Sequence, residues 1–263
     1  MNLGLDEKTA IVLASSRGIG KGIAKGLAEE GANVIIASRD EEVLQKVAAE
    51  MNKETKGLVK YKTCDMANAD SIKSLVQFTI NEFGSIDILV NNTGGPPKGV
   101  FTDFDDEDWM KAHELTFLSY VRAIREVLPY MEKNGGGRIL NNTSSSIKQA
   151  IDGLLLSNVY RNAIMGLTKT LANELAEKNI LINTIAPGKI KTDRLENTLS
   201  KIAKDKNMSI DEAEQSTIKN IPLGRLGTPE EFAKLAVFLC SEANTYITGQ
   251  AMLVDGGLVK SIH

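Results

Sequence analysis

The sequence predicts an α/β fold, a doubly wound parallel sheet covered by helices on both faces, and three observations carry that expectation. Short β-branched runs alternate with longer helical patterns along the whole chain. The runs are apolar throughout, as in strands buried on both sides. A glycine turn links the first run directly to the first helical pattern.

Taken in order, Thr9–Leu13 reads as a buried strand. Ile19, Ile23, Ala24, Leu27 and Ala28 recur at helical spacing, and Gly31 is the stop signal. Strands follow at 33–37, 58–63, 86–90, 138–142 and 180–185, with a last short one at 251–254. Helices are expected at 41–52, 69–83, 106–133, 157–178 and 229–241. The segment 191–226 has no strand pattern and carries many Lys, Glu, Asp and Asn residues. In an open α/β sheet it would lie beyond the carboxyl ends of the strands, so it is read as a substrate-covering flap. One domain spanning 1–263 is expected.

Composition narrows the function. The chain has 263 residues, 42% hydrophobic and 25% charged, with a net charge of −3, which advertises no nucleic-acid or membrane partner. Twenty-two glycines and six prolines exclude a collagen-like chain, and the apolar fraction excludes a disordered one. The longest charge-free stretch, 243–254, is shorter than the roughly 18 apolar residues of a spanning helix. Cys64 and Cys240 are too few for a disulfide framework, and His113 and His263 too few for a histidine metal site, so no metal is expected. With no signal-peptide pattern at the start, a cytoplasmic location is expected.

The strongest motif is Ala14-Ser15-Ser16-Arg17-Gly18-Ile19-Gly20, between a strand and a helix. Gly18 and Gly20 allow close backbone approach, and the helix start offers unpaired N–H groups and a positive dipole end to a diphosphate. At the end of the second strand, where NAD enzymes present an acid to the ribose 2′-hydroxyl, this chain has Ser38-Arg39. A guanidinium there pairs with a 2′-phosphate, and Arg17 adds a second cation, so NADP (NADPH) is expected in preference to NAD.

Together with Asp65, Val90-Asn91-Asn92-Thr93-Gly94, Gly137-Arg138-Ile139, Pro187-Gly188 and Val254-Asp255-Gly256-Gly257, this turn resembles the short-chain dehydrogenase/reductase family over essentially the whole chain. The nearest flavour is similar to 3-oxoacyl-carrier-protein reductases, with sugar dehydrogenases next. The resemblance implies a single Rossmann-type domain (three layers, α/β/α) whose cofactor lies across the strand ends. It places Asp65 and Met66 beside the adenine, Asn92, Thr93 and Gly94 along the cofactor, and Pro187, Gly188, Ile190 and Thr192 at the nicotinamide end. It implies a homotetramer or homodimer as well, paired through 106–133, 157–178 and 243–259.

The catalytic positions depart from the family's serine, tyrosine and lysine, which fall here on Ser144, Ser157 and Arg161. The family's asparagine, counted from Trp109, falls on Thr116. A phenol (pKa about 10) beside an ammonium makes a usable acid, whereas a serine hydroxyl is far weaker and a guanidinium does not deprotonate. Losing a positioned general acid costs about 10²–10⁴ in rate. Tyr160, one helical turn from Ser157, is a candidate substitute acid beside its reading as a helix-contact tyrosine. Lys148, Asp152 and His113 are weaker candidates, each with a plain structural reading. Two functions stay open: an NADP-dependent oxidoreductase acting on a carbonyl or secondary alcohol (3-oxoacyl-like or sugar-like), and a catalytically weak or inactive NADP-binding sensor or scaffold. In the first, Ser144 and Ser157 are expected to bind the substrate oxygen and Arg161 the nicotinamide ribose. The stiff turn Gly95-Pro96-Pro97-Lys98-Gly99 puts one cation at the pocket edge, which leaves an anionic or carrier-linked substrate open beside a plain turn.

Overall fold

Seven segments pair in parallel: β1 (Thr9–Leu13), β2 (Asn33–Ser38), β3 (Val59–Thr63), β4 (Ile88–Asn91), β5 (Gly137–Asn142), β6 (Ile180–Pro187) and β7 (Ala251–Val254). They form one sheet in the order β3-β2-β1-β4-β5-β6-β7. The structure, a computed structural model, describes residues 2–262; Met1 and His263, one of the two histidines weighed above, lie outside the described residues.

Nine helices occur among the described residues: α1 (Gly18–Glu29), α2 (Glu41–Glu54), α3 (Ala69–Phe83), α4 (Asp106–His113), α5 (Ser119–Lys133), α6 (Leu155–Leu175), α7 (Asp193–Asp205), α8 (Ile210–Ile218) and α9 (Pro229–Cys240). The two-residue period of the strands divides the core. Ala10, Val12, Val34 and Ile36 face α1, α2 and α9 through Ile23, Leu44 and Phe232. Ile11, Leu13, Ile35 and Ala37 face the opposite layer through Ile72, Val127 and Ala172. Each fully buried aliphatic chain contributes about 1.5–3 kcal/mol against the entropy of ordering.

Local signals set the ends of the elements. The Asn68 carboxamide accepts from Ser71 N (3.0 Å) to start α3, and Gly84, at φ 77°, ends it in the left-handed conformation. Strand order reverses between β1, which leads to β2, and β4. The crevice beyond their carboxyl ends is therefore the topological switch point where open α/β sheets bind ligands.

Apart from shifts of a few residues at element ends, such as α6 at Leu155–Leu175 against the expected 157–178, the structure departs from the sequence expectations at 106–133 and 191–226. The helical stretch at 106–133 is interrupted by a π-helical turn, Glu114–Leu118, between α4 and α5. Such a turn holds one extra residue and leaves the apolar period of its flanks intact, so periodicity does not report it. Residues 191–226 are more regular than expected. They form α7, capped by Thr192, and α8, capped by Ser209 with Glu212 closing a capping box. A short parallel bridge between Ile190 and Gly227 closes the neck of this excursion. No helix among the described residues is long and apolar enough to cross a membrane.

Candidate active site

The turn after β1 is held by hydrogen bonds that leave its outer N–H donors unengaged among the described residues. Ser15 Oγ donates to Val12 O (2.6 Å) and accepts from Ala37 N (3.0 Å), tying the ends of β1 and β2 together. Gly18 takes a φ of +54°, and a side chain there would press on Thr192 Cγ2. A Cβ on Gly20 would collide with Ala14 O and the Asn92 amide, so the helix starts hard against the turn. Arg17 precedes α1 in extended conformation without a side-chain cap, and the first turn holds no acid. These N–H groups and the helix dipole suit an anion.

Asn92 fixes the other wall. Its Nδ2 donates to Leu13 O (3.2 Å) and Ala14 O (3.0 Å), while its Oδ1 accepts from Asn142 Nδ2 (2.8 Å). Beneath it, Asn91 Nδ2 donates to Asn141 Oδ1 and Asn141 Nδ2 to Thr168 Oγ1, which bonds Thr184 Oγ1. This buried polar chain crosses β4, β5, α6 and β6 and locks the floor of the crevice.

Beyond β2, the carboxylate of Asp40 is turned toward its own helix. Its Oδ1 accepts from Val43 N (3.1 Å) as the N-cap of α2, and its Oδ2 lies 3.8 Å from Arg17 Nη2. Arg39 is exposed, and Ser38 Oγ is buried without a partner among the described residues. After β3, Asp65 Oδ1 accepts from Ala67 N (3.0 Å), and Met66 is buried.

At the expected catalytic positions, Ser144 follows β5 and caps a short 3₁₀ turn, its Oγ accepting from Ser146 N (3.2 Å). Ser157 lies near the start of α6 and is 7% exposed. Arg161, one turn further, is 4% exposed. Its Nη1 donates to Tyr120 Oη (2.9 Å) and Asn142 O (3.1 Å), and its Nη2 to Thr93 Oγ1 (3.4 Å). These partners are neutral, and no carboxylate pairs with the guanidinium among the described residues.

Tyr160 is not brought into this group. Its Oη donates to Trp109 O (2.9 Å), and its ring packs on Trp109 and His113, so it is a helix-contact tyrosine. Burial raises its phenol pKa, the wrong direction for an acid at neutral pH. His113 is held between Tyr160 and Phe117, and Asp152 is exposed. Thr116 is fully buried in the π-helical turn, its hydroxyl without a partner among the described residues.

Pro187 and Gly188 end β6 against the last strand, where Gly188 N donates to Val254 O (3.0 Å). Ile190 is buried at the neck of the excursion, and Thr192 caps α7 beside Gly18. Two residues in this crevice escaped the sequence reading. Tyr120 anchors Arg161, and its only sequence signal is its place one turn beyond Thr116. Arg194 lies against Gly95 on the loop after β4, a contact between segments far apart in the chain that no local pattern announces.

Similarity to known proteins follows the same features. The sequence profile described as "Enoyl-(Acyl carrier protein) reductase" matches residues 13–259. The chain is 35% identical to 7alpha-hydroxysteroid dehydrogenase of Escherichia coli (strain K12), over 100% of this chain and 98% of that protein. It is 36% identical to the 3-oxoacyl-[acyl-carrier-protein] reductase FabG of Chlamydia muridarum (strain MoPn / Nigg), over 98% of this chain and 100% of the other. Among solved structures, L-sorbose reductase from Gluconobacter frateurii, complexed with NADPH and L-sorbose, superposes with a TM-score of 0.96 at 35% identity, covering 100% of both chains. A 7 alpha-hydroxysteroid dehydrogenase complexed with NADH and 7-oxo glycochenodeoxycholic acid gives 0.90 at 35% identity, covering 100% of this chain and 98% of the other.

Proposed function

The chain belongs to the short-chain dehydrogenase/reductase family of oxidoreductases, and from that premise we propose that it is an NADP-dependent carbonyl reductase or alcohol dehydrogenase that works without the family's phenolic acid. The observation that carries this reading is the buried Arg161 guanidinium, anchored by Tyr120 and Asn142 and lacking an anionic partner among the described residues. A nicotinamide cofactor, when bound, supplies the hydride.

The residues present fit such a cofactor. The turn at Ala14–Gly20, with Ser16 and Ile19 at its rim, offers free donors to a diphosphate, and Thr192 stands beside it. Arg17, Arg39 and the orphaned Ser38 hydroxyl form a cationic end suited to a 2′-phosphate, with Asp40 diverted to cap α2. The L-sorbose reductase relative is complexed with NADPH and a hydroxysteroid dehydrogenase with NADH, so the preference for NADP rests on these cations. Asp65, Met66, Asn92, Thr93, Gly94, Pro187, Gly188 and Ile190 line the rest of that crevice in this reading.

Arg161 and the hydroxyls of Ser144 and Ser157 would stabilise negative charge developing on a carbonyl oxygen, with Arg161 also reaching a ribose hydroxyl. A guanidinium keeps its protons, Tyr160 is committed to Trp109 O and the fully buried Tyr120 to Asn142 O, so in this reading the proton comes from water. Turnover is then expected to be slower than with a phenolic acid by about 10²–10⁴. Titration with NADPH and NADH, followed by turnover on a carbonyl panel, tests the assignment. Tighter binding of NADPH, and faster turnover in a Ser157→Tyr, Arg161→Lys variant, are expected. Failure of both nucleotides to bind would refute it; binding without turnover on any carbonyl would leave a nucleotide-binding protein.

A further inference from the structure

Resting on the oxidoreductase reading above, we propose that Arg194, with Lys98 beside it, binds an oxyanion carried by the substrate, a carboxylate or a phosphate, so that the substrate class is anionic ketones and hydroxy compounds. Asp193 and Arg194 are consecutive on the first turn of α7 and diverge by about 100°. Asp193 turns to the diphosphate side, its Oδ2 lying 3.9 Å from Arg17 Nη1. Arg194 turns the other way, and its guanidinium rests on the bare backbone of Gly95, where any side chain would displace it.

Lys98 comes from the same loop, and its Nζ donates to Thr198 Oγ1 (2.9 Å) one turn along α7. The two cations thus flank the joint between that loop and the excursion. No side-chain hydrogen bond or carboxylate engages the Arg194 guanidinium among the described residues. The charge that bears on it is the like charge of Arg161, and Lys98 in turn feels Arg194, Lys189 and Lys201.

Arg194 and Lys98 are exposed to solvent, while the chain packed around the Arg194 and Lys189 head groups partly desolvates them and lowers their pKa. Cations gathered this way without counter-charge repel one another, and an anion relieves that cost. A forked guanidinium matches both oxygens of a carboxylate or phosphate. The stiff Pro96-Pro97 pair, an ordinary turn by sequence, then serves to hold Lys98 in place.

Calorimetry on the protein saturated with NADP⁺ reads this without turnover. The probes are levulinate against methyl levulinate, and dihydroxyacetone phosphate against dihydroxyacetone. One charged member is expected to bind at least 10-fold tighter than its neutral counterpart, and Arg194→Met to remove about 10- to 100-fold of that affinity. Arg194→Lys should retain part of it, and Lys98→Met should lose a smaller factor. Which pair responds identifies carboxylate or phosphate. Equal binding within both pairs, no heat from any charged probe, or a preference that survives in Arg194→Met overturns the proposal. An equal loss of NADP⁺ affinity in Arg194→Met also overturns it, since the guanidinium would then serve the cofactor. Failure of wild type to bind NADP⁺ at all would instead strike the oxidoreductase reading.

Discussion

Arg161 brings a full positive charge to a position only 4% exposed, and Tyr120, Asn142 and Thr93 offer it only neutral oxygens. Such a group is stable only where several acceptors are fixed in advance; Tyr120 Oη is held by its own bond to Asn142 O, and the Asn142 side chain by Asn92. Gly20 is the residue on which the opposite wall depends. Gly20→Ala would lodge a methyl between Ala14 O and the Asn92 amide, and is expected to cost about 1–3 kcal/mol of stability and to abolish nucleotide binding. Thermal denaturation and NADPH titration check it; a variant that binds normally would mean the turn has slack the geometry denies. At this scale the sequence was partly legible. Gly18 and Gly20 stand in a strand-to-helix turn that calls for close backbone approach, whereas Asn92 is singled out by the family resemblance and its bonds to Leu13 and Ala14 appear only in the structure. Tyr120 and Arg194 act through partners distant in sequence, which a one-dimensional pattern does not contain.

Among the elements, the π-helical turn at Glu114–Leu118 and the start of α9 show how local chemistry decides structure. Thr116 is wholly buried with its hydroxyl unpartnered among the described residues, while Ser119 Oγ donates back to Leu115 O (2.6 Å). Thr116→Val should therefore leave stability unchanged or raise it by about 1 kcal/mol, read as a melting temperature; a clear fall would show that the hydroxyl is satisfied in solution. At α9, Glu231 accepts from both Arg225 Nη atoms (2.8 and 2.6 Å) and from Thr228 N (3.0 Å), which hold its carboxyl pKa down to about 2, the Arg225 guanidinium most of all. A depressed folded pKa contributes stability that is full above the ordinary carboxyl range and lost as pH falls toward about 2. Wild type should exceed Glu231→Gln in melting temperature at about pH 6, and the gap should narrow below about pH 4. A gap constant with pH would assign the effect to side-chain shape. The helix at 69–83 and the strands at 9–13 and 251–254 were legible to the residue, because caps or apolar runs bound them. The expected strand at 86–90 begins only at Ile88, since pairing starts where Ala10 meets Ile88.

Across the whole molecule, apolar burial is unevenly distributed, and the excursion from Lys191 to Leu226 is expected to be the first part to open. The sheet is packed on both faces by extensive apolar layers, whereas α7 and α8 share a cluster of only three buried side chains, Leu199, Ala203 and Ala213. The excursion joins the body through the Ile190–Gly227 bridge, the Leu223 N–H donated to Gly256 O, the Arg225–Glu231 ion pair and the contacts of Thr192, Arg194 and Lys98 with the site. Regions with so small a core open locally at a fraction of the global free energy. Trypsin should therefore cut first at the exposed Lys201, Lys204 or Lys206, next to the turn where Asn207 takes a φ of 50°. The nicked protein should keep its far-ultraviolet circular dichroism and a cooperative melt, because the seven strands lie outside the excursion. NADPH together with an anionic carbonyl compound should slow that cut several-fold, since both partners would brace the first turn of α7, whereas NADPH alone should slow it less. Fragment masses over a time course decide the matter: initial cleavage in α5 or α6, or loss of the whole fold at the first cut, would mean that the excursion is as firmly built as the sheet and is no cover for the site.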